Sequence, residues 1–181
     1  RTTDYGKQDY DYRAILSDGL RAVKHVRYNA EEYGIDPDKI FTIGFSAGGH
    51  LTYMSGTHYD FAVEDPAYAP DEIDEVSARP NAIAPCYAVC TIEKSYSNSG
   101  TRTVFAQGDA ELEHFFSAEN SVTEDTPPTF LWHTWDDGTV PVKNSLDFAK
   151  ELAKYGIPCE MHLYAQGSHG IALAKDNPTA Y

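Results

Sequence analysis

Cysteine is scarce in this chain: Cys86, Cys90 and Cys159 are the only three among 181 residues. An odd count without zinc-ligand spacing encodes neither a disulfide framework nor a structural zinc site, so buried free thiols are expected. Basic residues are few as well. Fourteen Lys and Arg face 28 Asp and Glu, for a formal net charge of -14 at pH 7. A surface of that sign repels a phosphate backbone and anionic lipid, which excludes nucleic acid and membrane surfaces as partners. No apolar run approaches the roughly 18 residues of a bilayer-spanning helix, and no signal-peptide pattern opens the chain; the compartment is left open. A glycine-rich phosphate loop and a His-Glu-x-x-His pair are both missing, so the reading calls for no metal and no cofactor. Internal repeats and low-complexity stretches are absent too.

What is present suffices for one core. Hydrophobic residues make up 41% of the chain, with 13 Tyr and 8 Phe, and the length fits a single domain over 1–181. Apolar spacing through Leu16, Leu20, Val23, Val26 and Ala30 predicts an amphipathic helix from Tyr10 to Tyr33, stopped by Gly34. Strands are predicted at Ile40 to Phe45, a short β-branched and aromatic run, at Asn81 to Thr91 as a buried strand, at Thr129 to Thr134, and at Cys159 to Tyr164, which alternates. Helices are predicted after Ser46, near Ala110 to Phe116, between Val142 and Tyr155, and as a last turn from Ile171. Residues 57 to 80 read as a polar excursion, and 94 to 128 as mostly loop. Strands alternating with helices imply an α/β fold, a parallel sheet with right-handed crossovers and helices on both faces.

The strongest chemical signal is Gly44-Phe45-Ser46-Ala47-Gly48, a G-x-S-x-G between a predicted strand and a predicted helix. So tight a turn tolerates only small residues two before and two after the serine, and leaves the hydroxyl exposed at a helix N-terminus. Helix-end amides there favour a developing anion. A serine hydroxyl needs a base to take its proton and an acid to orient that base. In such folds the acid and then the histidine follow later strands. Strand 129 to 134 leads into Trp135-Asp136-Asp137-Gly138-Thr139-Val140-Pro141, and strand 159 to 164 into Gly167-Ser168-His169-Gly170. His169, on a glycine-flanked tip, is the candidate base among seven histidines. His133 and His162 lie in predicted strands, where packing or hydrogen bonding is their expected role. His25, His58 and His114 read as surface residues, and His50 follows the elbow on its helix. Of the two competing acids, Asp137 begins the turn before Val140-Pro141 and is preferred; Asp136 is then a solvated turn residue.

These segments carry a resemblance. EEYGIDPDKIFTIGFSAGGHLT, PPTFLWHTWDDGTVPVKNSLDFAKEL and GSHGIALA resemble the α/β-hydrolase esterases of the acetyl esterase and hormone-sensitive-lipase-like group, above all bacterial members that remove acetyl or feruloyl groups from xylan-type carbohydrates. The resemblance implies Ser46 as nucleophile, Asp137 as acid, His169 as base, the Ala47 backbone N–H as oxyanion donor and Trp135 as a substrate-pocket residue. It also implies that Arg1 corresponds to the end of the family's fourth strand. The preceding strands, with the His-Gly-Gly-type loop that gives a second oxyanion donor, are then expected outside this chain, and an uncovered sheet edge is expected to favour self-association. The expected activity is a serine carboxylester hydrolase acting on a small ester or acetylated carbohydrate. Its rivals are a serine peptidase of the prolyl-oligopeptidase type and a non-catalytic hydrolase-like fragment that needs a partner.

Overall fold

A computed structural model describes residues 12–62, 68–173 and 175; the predicted start of the first helix at Tyr10 lies outside them. In chain order the elements are α1 (Tyr12–Tyr28), α2 (Ala30–Tyr33), β1 (Phe41–Phe45), α3 (Ala47–Thr57), a 3-10 turn (Glu72–Glu75), β2 (Ala82–Cys86), α4 (Ser99–Phe105), α5 (Ala110–Phe115), a 3-10 turn (Ala118–Ser121), β3 (Thr129–Thr134), α6 (Lys143–Lys154) and β4 (Cys159–Tyr164). The four strands form one sheet in the order β1-β2-β3-β4, and every pair is parallel. Neighbouring parallel strands need a crossover, and the helical connections supply it.

Side-chain parity sorts the two faces of this sheet. Thr42 Oγ1 lies 3.1 Å from Ser55 Oγ on α3, Ile83 packs on Gly56 of α3, and His133 Nδ1 lies 2.8 Å from Ser145 Oγ on α6. Thr42, Ile83 and His133 therefore face the same side, where the Tyr53 and Phe148 rings join α3 to α6 at 4.4 Å. Leu16 and Leu20 of α1 complete that core, along with Met54, Leu131 and Leu152. The alternate residues Phe41, Ile43 and Phe130 point to the opposite face and are exposed. Among the described residues the helices packed on the sheet thus lie on one of its faces.

Four boundaries differ from the sequence reading. The first helix breaks at Asn29, whose side-chain amide donates to the His25 carbonyl at 2.8 Å and competes with the helical ladder; Gly34, at φ 65°, caps α2 as expected. The run from Asn81 to Thr91 is a strand only over Ala82–Cys86, with Pro85 inside it in register with Gly44. Beyond Cys86 the chain stays buried but leaves the ladder once the Tyr87 amide has met the Trp132 carbonyl of β3. Its amides are taken up by side chains: Asn144 Oδ1 accepts from Cys90 and Thr91, and Ser117 Oγ from Ile92 and Glu93. Hydrophobicity alone could not tell such a segment from a strand. The third difference is α4, which begins at an Asn98 cap inside the stretch expected to be mostly loop. Lastly, Ala172 and Leu173 form a turn rather than a helical one. Among the thiols, Cys86 and Cys90 are buried, whereas Cys159 is exposed on β4.

Candidate active site

β1 runs directly into α3 through Ser46, whose backbone stands at φ 53°, ψ -116°. A non-glycine residue there is strained, and the conformation holds because the surroundings are closed. A Cβ on Gly44 would lie 2.2 Å from the Gly48 carbonyl oxygen, and one on Gly49 2.4 Å from Ala88 Cβ. Gly48 is different: a Cβ there meets nothing within 4 Å, so among the described residues the crowding expected two positions after the serine falls on Gly49 instead. The Ser46 amide is anchored to the Cys86 carbonyl at 3.1 Å across the sheet. Ala47, exposed at the first helical position, has no intrahelical acceptor for its N–H.

Ser46, His169 and Asp137 meet at the C-terminal ends of β1, β3 and β4. Ser46 Oγ lies 2.7 Å from His169 Nε2, and His169 Nδ1 lies 2.7 Å from Asp137 Oδ2. A carboxylate only accepts, so Nδ1 carries the proton and Nε2 accepts from the serine hydroxyl. The Asp137 side chain is fully buried, and its second oxygen accepts from the Thr139 and Val140 amides, both at 2.9 Å. This turn follows the end of β3, and it fixes the acid before any histidine arrives. Asp136 points elsewhere. Its Oδ1 accepts from the Gly167 amide at 2.7 Å while Thr134 Oγ1 donates to the Gly167 carbonyl at 2.6 Å. Asp136 is exposed in the turn, as expected, and there it also tethers the loop that carries His169.

The remaining histidines divide by environment. His133 is wholly buried: Ser145 Oγ and the Val140 carbonyl hold its two nitrogens at 2.8 and 2.9 Å, and burial pushes its pKa down. His50 lies on α3 with Nε2 donating to the Phe116 carbonyl at 2.9 Å, and burial lowers its pKa too. His58, expected at the surface, is half-buried against the Phe115 ring, and burial drives its pKa down to about 4. His25 bonds Tyr33, His114 lies beside Glu93 and His162 beside Glu160. Trp135 leaves its indole 61% exposed at the end of β3. Tyr87, which nothing in its apolar run singles out, packs its ring against His169 with centroids 5.1 Å apart. Among the described residues no group of three or more His, Cys, Asp and Glu is placed to hold a metal, and no helix is long and apolar enough to cross a membrane.

Known proteins are similar to this chain in sequence and in fold. The family model described as BD-FAE matches residues 4–152. Endo-1,4-beta-xylanase B of Butyrivibrio fibrisolvens is 34% identical over 177 residues, which is 97% of this chain and 27% of that protein. An acetylxylan esterase of Xylanibacter ruminicola is 28% identical over 164 residues, or 87% of this chain and 31% of that protein. The crystal structure of an acetyl ester-xyloside bifunctional hydrolase from Caldicellulosiruptor lactoaceticus superposes with a TM-score of 0.85 at 42% identity, covering 97% of this chain and 64% of that one. The chain thus spans about a third or less of the two curated relatives and under two thirds of the solved structure. The parallel sheet with its strand-to-helix elbow is an α/β-hydrolase fold.

Proposed function

This chain belongs to the BD-FAE family, and from that premise we propose that it is a serine carboxylester hydrolase that removes acetyl or other short acyl groups from carbohydrate or small esters. The observation that carries the proposal is the unbroken hydrogen-bonded chain from Ser46 through His169 to Asp137, with both links at 2.7 Å. A serine with no base in reach would be a poor nucleophile. Here Ser46 Oγ attacks the ester carbonyl as His169 Nε2 takes its proton. The imidazolium then protonates the leaving alkoxide, and the acyl group remains on Ser46. Water, activated by the same imidazole, adds to the acyl carbon and releases the acid, which restores Ser46. Asp137 holds the tautomer and balances the transient positive charge. The exposed Ala47 N–H at the start of α3 stabilises the oxyanion. Carbohydrate as the alcohol half is favoured by the names of the relatives, an acetylxylan esterase and an acetyl ester-xyloside hydrolase, and Trp135 offers an exposed aromatic surface beside the acid turn.

An organophosphonate ester tests the chemistry. Covalent labelling of Ser46, abolished in His169→Ala, is the expected result; a protein that stays unlabelled is not an activated serine hydrolase. Release of acetate from acetylated xylan, with no cleavage of prolyl peptides, separates the esterase from its peptidase rival.

A further inference from the structure

The two hydrogen bonds of His169 fix its nitrogens but leave the ring free to rock about the line that joins them. The loop that bears it offers little restraint of its own, since Gly167 and Gly170 flank the tip at φ 153° and 82°. Asp136 and Thr134 hold the near side of that loop at Gly167. On the far side, the Ala172 amide donates to the Tyr87 hydroxyl at 3.0 Å. Tyr87 also meets the imidazole ring itself, at an interplanar angle of 77°. Its own ring is wedged between Trp132 and Phe45, at 4.9 and 5.7 Å. Its amide donates to the Trp132 carbonyl at 2.8 Å.

Tyr87 reaches this place through an unfavourable backbone. Its φ is 36°, a left-handed conformation that is unfavourable for a side-chain-bearing residue and that collects at functional sites. The bend takes the chain out of the sheet straight after β2, so that Tyr87 lies beside the base rather than above the next strand position. Packing alone does not require it, because an apolar residue in an extended backbone could continue from Cys86.

We propose that Tyr87 is a positioning residue for His169: its ring stops the imidazole from rocking, and its hydroxyl ties down the loop on the other side of the tip. This rests on the reading of Ser46, His169 and Asp137 as the reacting groups. It assigns Tyr87 no proton transfer and no contact with substrate.

The test compares Tyr87→Phe, Tyr87→Leu and Ser46→Ala in the full encoded chain, with p-nitrophenyl acetate as substrate and circular dichroism to establish folding. Loss of ring and tether in Tyr87→Leu should lower kcat by about 10²-fold, the scale of a misplacement near 1 Å, with KM within about twofold of wild type. Tyr87→Phe keeps the ring and should lose only part of this, roughly fivefold in kcat. The proton NMR signal of the Asp137–His169 hydrogen bond should broaden in the same order. A purely structural role would instead lower the amount of folded enzyme and leave kcat per active site unchanged, as counted by phosphonate titration. Wild-type kcat in a folded Tyr87→Leu, or a loss confined to KM, overturns the proposal. If Tyr87→Leu does not fold, Tyr87→Phe decides: unchanged kcat with a sharp proton signal overturns it. Activity that survives Ser46→Ala refutes the triad and this inference with it, whereas a dead Ser46→Ala beside fully active Tyr87 variants refutes this inference alone.

Discussion

His133 Nε2 lies 3.4 Å from the same Asp137 Oδ2 that receives His169, with neither His133 nor Asp137 exposed to solvent. The Val140 carbonyl, 2.9 Å from that nitrogen, requires it to carry a proton, so His133 meets Asp137 as a neutral donor. With the Thr139 and Val140 amides on Oδ1, Asp137 is surrounded by donors and is held in one orientation.

Loss of the Asp137 charge should therefore matter far more than loss at its neighbour. Asp137→Asn is expected to lower kcat by about 10⁴-fold through the wrong imidazole tautomer. Asp136→Asn keeps an oxygen for the Gly167 amide and should stay near wild type, while Asp136→Ala, which removes the tether, should fall between the two. Steady-state kinetics on p-nitrophenyl acetate rank the three; a larger loss in Asp136→Asn than in Asp137→Asn would move the acid assignment.

The glycines of the elbow should not be equivalent. Gly44→Ala drives a Cβ into the Gly48 backbone, and Gly49→Ala drives one into Ala88, so each should cost several kcal/mol or prevent folding, the expected result of overpacking against atoms that cannot retreat. Gly48→Ala has open space and gains helix propensity, about 0.5–1 kcal/mol in favour of the variant. Thermal melts of the three variants check this, and a Gly48→Ala as unstable as Gly44→Ala would contradict it.

Strain at Ser46 can be read from two inactive variants. Both Ser46→Ala and Ser46→Gly remove the nucleophile, but only glycine accepts φ 53° without cost. Ser46→Gly should be the more stable of the two by about 1 kcal/mol or more. Equal urea midpoints would mean that the elbow stores no strain.

Stability should fall in mild acid. His58 has its pKa lowered from 6.5 to about 4 by burial, and His50 is lowered in the same direction, so the unfolded chain binds protons first. The His58 contribution is complete above about 6.5, declines as pH falls toward about 4, and changes no further below it. For His58 alone the loss is at most about 3 kcal/mol, at 1.36 kcal/mol per unit. Urea unfolding between pH 7 and pH 4 should show a shallower decline in His58→Gln than in wild type; parallel declines would place the acid sensitivity elsewhere.

The sequence by itself determined the elements with strong local signals and the order of the chemistry. β3, β4 and α6 fall at or within one residue of their expected bounds because short apolar or alternating runs and amphipathic periodicity are local properties. Ser46 could be singled out because a strand, a small-residue turn and a helix follow one another along the chain, and His169 because its motif closes the last strand. Which segments pair is a different matter, since pairing depends on neighbours distant in sequence. Residues 87 to 92 are as apolar as a strand, yet Asn144 and Ser117 take the amides from Cys90 to Glu93, and nothing near them in sequence announces it. The separate duties of Asp136 and Asp137, adjacent and chemically identical, were decided by the direction each side chain takes as it leaves the end of β3. Tyr87 and His133 became visible only once β2 and β3 were laid beside the loop after β4, because a ring contact and a shared carboxylate oxygen are relations in space.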